Sequence, residues 1–408
     1  MRLFLAAALL ALPTALCAEP MSLDEALELA TTRAPELQGR EAGIDAAQSA
    51  AIAADRLPDP KLDLAIKDFP VTGPDAGRFN RDNFTMQVIG ISQDFPNPAK
   101  RRARATRAQA EIGIARADEA VTAQDVRLAT ALAWVDLFYA KKRLKELDLL
   151  DDGLEDLQAT VTARLASGAA RPAQALEPDQ LRAAINDRHS ALAAEIARAR
   201  AQLARFTDDA AADTLGDLPP QMIDEQGLRA GIDALPRLRA LDARAIAADA
   251  ETGLARADKR PDWSVNAAYG RREPNYGDLV TVGVTIGLPF FSKKRQNPKI
   301  AARASEATRA RLDREAAKRD IAAALNADLA DHRMHHEQLA NARTRLVPLA
   351  KKRAELDLAS YAAGKLDLGT ALLSTLALAE AEVDALAREA EVARDAIRIN
   401  YIYGEAGR

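Results

Sequence analysis

The sequence predicts a mainly α-helical chain that carries membrane β-strands, on three observations. Four short stretches alternate apolar with polar or small residues, alanine-rich stretches between them carry helical spacing, and the whole plan occurs twice. Alternation with period two marks strands with two unlike faces. Leu62, Leu64 and Ile66 alternate with Asp63, Ala65 and Lys67; Phe84, Met86 and Val88 alternate with Thr85 and Gln87. Trp263, Val265, Ala267 and Tyr269 alternate with Ser264, Asn266 and Ala268; Val280, Val282, Val284, Ile286 and Leu288 alternate with Thr281, Gly283, Thr285 and Gly287. Each run approaches the ~9–11 residues that a tilted strand needs to cross a bilayer. Four strands cannot close a membrane barrel, which begins at about eight, and lipid does not tolerate an open edge. Membrane strands in this chain therefore require copies of it.

In chain order, residues 1–18 read as a secretory signal: Arg2 starts it, Leu3 to Leu12 is a short apolar run, and Ala15 to Ala18 offers small residues for cleavage. Cys17, the single cysteine, leaves with it, so disulfides, thiolate metal sites and cysteine nucleophiles are not expected. The rival reading is lipid attachment at Cys17, against which stands Leu16, where a small residue belongs. The first repeat, 19–220, begins with a helix at about Leu23–Arg56, followed by strands at about 61–68 and 83–94. Prolines then turn strand into helix, as residues that cannot continue a ladder. Residues 99 to 171 contain no proline and run helical to the turn Arg164-Leu165-Ala166-Ser167-Gly168, where glycine marks a helix end. A return helix leads to a linker at about Asp208 to Asp224 with Pro219-Pro220.

The second repeat, 221–408, runs through a helix at about Leu228–Lys259, strands at about 262–271 and 279–289, a second long helix ending at Ser360-Tyr361-Ala362-Ala363-Gly364, and a return helix. Matching landmarks fix the duplication: Leu57-Pro58-Asp59 with Arg260-Pro261-Asp262, Phe95-Pro96 with Leu288-Pro289, and Lys100-Arg101-Arg102 with Lys293-Lys294-Arg295. The limbs from Pro96 to Gly168 and from Pro289 to Gly364 are nearly equal. Each would span roughly 110 Å if wholly helical, which places both turns at one depth.

Composition narrows the function. The net charge of −4 lacks the basic footprint of a nucleic-acid partner. No stretch beyond the leader approaches ~18 uninterrupted apolar residues, so no transmembrane helix is expected. There is no phosphate loop, nucleophile elbow or zinc-protease motif, so neither an enzyme nor a cofactor is expected. Asp and Glu interleave with Arg along the helices, the pattern of solvated or helix-pairing faces.

The duplicated helix–strand–strand–helix plan and the two turns Arg164-Leu165-x-x-Gly168 and Ser360-Tyr361-x-x-Gly364 resemble the TolC family of outer membrane efflux proteins over essentially the whole mature length. Within it, Leu57-Pro58-Asp59-Pro60-Lys61, Phe69 to Ala76, and Phe95-Pro96-Asn97 with Lys100 to Arg104 resemble the heavy-metal efflux branch of the cobalt-zinc-cadmium and copper-silver type. The resemblance implies a homotrimer, a 12-stranded barrel in outer membrane lipid, and a helical tunnel through the periplasm. It also implies a periplasmic adaptor and an inner-membrane RND-type pump that dock at the tunnel's far end. The alternatives are a multidrug or type I secretion exit duct and, of another class, a periplasmic adaptor or structural coiled coil, neither of which needs two matched strand pairs.

The resemblance places a gate at the two turns, with Arg164, Gly168, Arg171, Glu177, Tyr361, Gly364, Lys365 and Asp367 as its residues here and with Arg171 and Lys365 attracting Glu177 or Asp367. Multidrug members carry an aspartate six residues after each glycine; this chain has Gln174 and Thr370 there, so a gate must use other pairs. His332, His335 and His336 share a helix face and form the one metal-like group, which otherwise reads as a polar patch. Gly283, Thr285 and Gly287 suit a barrel interior. The two basic clusters fit either lipid headgroups or ordinary charges at helix starts.

Overall fold

The computed structural model describes residues 20–79, 81–166, 176–209, 212–219 and 222–404, with the side chains of 149–166 left out. The expected leader, 1–18 with Cys17, lies outside the described residues. The first repeat runs α1 (Leu23–Arg33), α2 (Pro35–Ala54), β1 (Lys61–Lys67), β2 (Met86–Phe95), α3 (Pro98–Ala166) and α4 (Glu177–Thr207). The second runs α5 (Glu225–Ala230), α6 (Pro236–Ala257), β3 (Trp263–Arg271), β4 (Leu279–Ile286), α7 (Gln296–Asn341), α8 (Val347–Ala362) and α9 (Leu368–Tyr403).

The structure corrects the sequence reading at three kinds of place. Each expected leading helix is broken, at Ala34 before Pro35 and at Leu235 before Pro236, where the backbone turns extended. Proline forces this, because its ring drives the preceding residue out of helical conformation. The second long helix is interrupted by a π-helical turn, Ala342–Leu346, just before Pro348. Proline has no N–H to give and crowds the carbonyl four residues back; a widened turn accommodates both. The strands are shorter than expected: β2 starts at Met86 rather than 83, and β4 stops at Ile286.

The chain forms two compact units, and each holds pieces of both repeats. One consists of the described parts of Met1–Gln38, Thr122–Ile232 and Ala322–Arg408. Its core joins Trp134, Val135 and Leu137 of α3 to Leu23 and Leu27 of α1, Leu203 of α4 and Ile397 and Tyr401 of α9. The Trp134 indole N–H donates to the Met21 carbonyl at 3.0 Å, so a large ring is buried with its polar edge satisfied. A second cluster gathers Leu147, Leu181, Ile185, Tyr361, Leu368 and Leu372.

The other unit, Gly39–Val121 with Asp233–Ile321, carries the sheet. All four strands pair antiparallel in the order β1-β2-β3-β4. Acid–arginine pairs tie its helices together: Arg107 to Glu251 at 2.6 Å, Arg311 to Asp249 at 2.5 Å, and Arg314 to Asp233 and Asp242 at 2.9 and 3.1 Å. These are the interleaved charges of the sequence, used here for pairing helices. At the strand-to-helix corner, Asn97 donates to Asp262 while Lys100 reaches Asp262 at 2.9 Å and Asp258 at 3.2 Å. Lys100 thus joins the two repeats within the chain, whereas Lys293, Lys294 and Arg295 are exposed.

Candidate functional site

The first candidate site is the sheet. Its register brings Leu62, Leu64 and Ile66 of β1 onto one face with Ile91 and Ile89 of β2, Val265, Ala267 and Tyr269 of β3, and Val284, Val282 and Val280 of β4. Val265 is half-buried, and among the other large apolar residues at the heart of this face exposure runs from 44% at Tyr269 to 73% at Val280. An apolar surface that crosses four strands and stays uncovered is not the outside of a water-soluble sheet. The opposite face carries Lys61, Asp63, Ser92, Asp94, Ser264, Asn266, Thr281, Gly283 and Thr285. There Lys61 pairs with Asp94 at 2.7 Å and Ser92 donates to Asp63 at 3.1 Å. One face suits lipid and the other water.

The phase of β2 differs from the sequence reading. Met86 and Val88 lie on the polar face, while Ile89 and Ile91 supply the apolar one. Gly270 explains the exchange: a Cβ there would stand 2.9 Å from the Met86 sulfur, so the missing side chain leaves room for methionine. Beyond the strands, Arg272 donates to the carbonyls of Gly277 and Tyr276 in its own loop and of Asn83 in the other, tying the two hairpin loops together.

The second candidate site is the turn from α8 to α9. Gly364 has φ +72°, the left-handed conformation that favours glycine. Lys365 N–H donates to the Ser360 carbonyl and Gly364 N–H to that of Tyr361, both at 2.9 Å, a complete Schellman closure. Asp367 caps α9, accepting from Thr370 N–H at 3.0 Å and Thr370 Oγ1 at 2.8 Å. Those bonds hold the Asp367 carboxyl below the usual range. Glu177, first residue of α4, packs against Gly369 at the start of α9, and its Oε2 is buried with no hydrogen-bond partner among the described residues. Burial, and then the charge of Asp367, push its carboxyl pKa up.

The expected gate residues thus separate into different roles. Lys365 is exposed, Tyr361 is a core residue of the α3–α4–α9 cluster, and the charge acting on Glu177 is the like charge of Asp367. Arg164 lies in the last turn of α3 with its side chain outside the described set, and Gly168 and Arg171 lie outside the described residues. In the histidine group, His335 Nδ1 lies 2.7 Å from buried Asp395, which also pairs with Arg398, while the His332 and His336 rings stand 6.2 Å apart. Burial lowers the pKa of His332. Among the described residues no three His, Cys, Asp or Glu converge to hold a metal ion.

No family model matches the sequence. The chain is similar to the cobalt-zinc-cadmium resistance protein CzcC of Cupriavidus metallidurans, with 23% identity over 297 residues. That match covers 69% of this chain and 66% of the relative, just under two thirds of its length. In structure it is similar to the outer-membrane channel OprN, with TM-score 0.77 and 17% identity over 94% of this chain and 89% of that one. The Campylobacter jejuni CmeC outer membrane channel matches with TM-score 0.76 and 12% identity over 94% and 85%.

Proposed function

Since the chain has the fold of the outer-membrane channels OprN and CmeC, we propose that it is the outer membrane exit duct of a tripartite efflux system, a passive conduit made of three copies. The observation that carries this reading is the four-stranded sheet with one exposed apolar face, one polar face and both edges unpaired among the described residues. Lipid requires those edges to be closed. Three copies supply twelve strands, a barrel with an apolar outside and a polar, water-filled inside. The helices occupy the periplasm, and the α8–α9 turn, with Gly364, Lys365, Asp367 and neighbouring Glu177, forms the tip where a periplasmic adaptor and an RND-type pump dock.

Transition-metal cations are the proposed cargo. This rests on the similarity to a cobalt-zinc-cadmium resistance protein and on the branch-like segments at Pro58–Asp75 and Phe95–Arg104. A deletion strain without redundant channels should lose tolerance to at least one of copper, silver, zinc, cobalt and cadmium. Unchanged metal tolerance combined with new drug sensitivity would make the protein a multidrug duct instead. The conduit itself is checked in planar bilayers, where the purified protein should give discrete conductance steps.

A further inference from the structure

Each repeat contributes one hairpin, β1–β2 or β3–β4. Aligning Pro58-Asp59 with Pro261-Asp262, and Phe95-Pro96 with Leu288-Pro289, sets Leu62 on Val265 and Ile91 on Val284. The structure pairs Leu62 with Ile91 and Val265 with Val284, so the two hairpins share one internal register. The sequence landmarks are therefore structural equivalences. Within the chain the hairpins meet through β2 and β3, with Ser92 opposite Asn266, Ile91 opposite Ala267, and Ile89 opposite Tyr269.

A ring of copies needs the same kind of joint once more per chain, between the second strand of one hairpin and the first strand of the next. The equivalences carry Ser92 to Thr285 and Asn266 to Asp63, and they carry the other pairs likewise. We infer that β4 pairs antiparallel with β1 of a second copy in the register that sets Thr285 opposite Asp63, Val284 opposite Leu64, and Val282 opposite Ile66. This inference rests on the three-copy duct proposed above.

Two features of the chain agree with this register without having been used to derive it. Strand faces alternate with period two, so a slip of one residue would throw apolar side chains to the wrong side. Here Ile286, Val284 and Val282 meet Leu62, Leu64 and Ile66 on the apolar face, while Thr285 and Thr281 meet Asp63 and Lys67 on the polar one. The second feature is a matched pair of small residues. Within the chain Gly90 lies opposite Ala268, and a Cβ on Gly90 would come within 3.2 Å of the Ala268 Cβ. The inferred joint sets Gly283 opposite Ala65, again glycine against alanine. The duplication has kept the same tight spot in the joint between chains as in the joint within one.

Paired cysteines test the register in the full-length protein extracted from membranes. Directly opposite residues on antiparallel strands lie about 4.5–5.5 Å apart at Cα, within disulfide reach, whereas separations above about 7 Å are not bridged. Thr285→Cys with Asp63→Cys should give, after diamide treatment, a trimer on non-reducing denaturing gels that dithiothreitol dissolves. Val284→Cys with Leu64→Cys reports the same register from the other face and guards against poor folding of the first variant. Thr285→Cys with Ala65→Cys, displaced by two residues, should crosslink at least tenfold less. An intact trimer that crosslinks through the displaced pair, or through neither predicted pair, overturns the register and leaves the duct standing. A detergent-extracted, unsubstituted protein that is monomeric removes the duct reading and the register with it.

Discussion

The two leading helices α2 and α6 are counterparts in the duplication, yet α6 buries eight residues, among them Leu238, Ala245 and Ala255, and α2 buries none. The strands that follow them differ in the same way. Every residue of β1 is exposed, while β3 lies between two neighbours in the sheet. The long helices are mixed: α3 sinks Trp134, Val135 and Leu137 and α7 sinks Leu325 and Leu329, while Leu312 of α7 and Leu349 and Leu356 of α8 stay exposed. Within the sheet, β2 and β3 have partners on both sides. Among the described residues β1 and β4 each have a partner on one side. On the three-copy duct proposed above, a duplicated unit used once leaves one joint made and one unmade, and the exposed β1 and β4 are the halves left for further copies.

The largest expected break in this contrast is at Trp134. Trp134→Ala removes a fully buried ring and its bond to the Met21 carbonyl, and should cost about 3–5 kcal/mol of stability, measured by denaturant unfolding in detergent. Ile52→Ala, on the 69% exposed face of α2, should shift unfolding of the single chain by no more than about 0.5 kcal/mol while weakening the oligomer. Equal effects at the two positions would erase the distinction between inner and outer elements. Next in size is the sheet. Val284→Lys, on the apolar face, should cost about 2–4 kcal/mol near the membrane midplane and reduce the outer membrane yield. Thr285→Lys, one residue along and on the polar face, should be recovered at the normal level. Loss of both proteins alike would contradict the two-faced assignment.

Smaller effects sharpen the tip. Asp367→Ala removes the cap of α9 and should loosen its first turn, read as faster amide exchange in residues 368–371. Glu177→Gln should act in the opposite direction. The folded carboxyl has its pKa raised by burial and by Asp367, so the folded state holds its proton at pH values where the unfolded chain has released it. Stability contributed by this group is present below the unfolded value and is lost as pH rises through the folded one. The substitution should therefore steady the α4–α9 contact at neutral pH and flatten its pH dependence just above the ordinary glutamate range, as followed by exchange or thermal unfolding. A pH profile identical to that of the unsubstituted protein would remove Glu177 as a titrating group.

Much of this organisation is legible in residue periodicity. The faces of β3 and β4 follow directly from alternation, and Gly364 ends α8 because only a left-handed residue closes that turn. The phase of β2 was not legible, since Met86 and Val88 look like members of an apolar face until Gly270, far away in sequence, is seen to make room for the Met86 side chain. Tyr361 reads as an exposed tip residue beside its glycine, and only the third dimension shows Leu181 and Ile185 around it. Lys100 reads as a helix-start charge for the same reason, because Asp258 and Asp262 come from the other repeat. Pro348 was a local signal in plain view, and helical spacing on both sides masked the π-helical turn it imposes. Asp367 was visible as a charge, yet its role as a cap depends on Thr370 three residues on.

The central claim is that the exposed α2, β1, β4 and α7 surfaces are covered by further copies of this chain in the outer membrane. Native mass spectrometry of protein extracted in mild detergent from separated outer membranes tests it most directly. Three chains per particle, stable until heated in denaturing detergent, is the result this account predicts. A monomer, or protein recovered from the soluble periplasmic fraction, would contradict it.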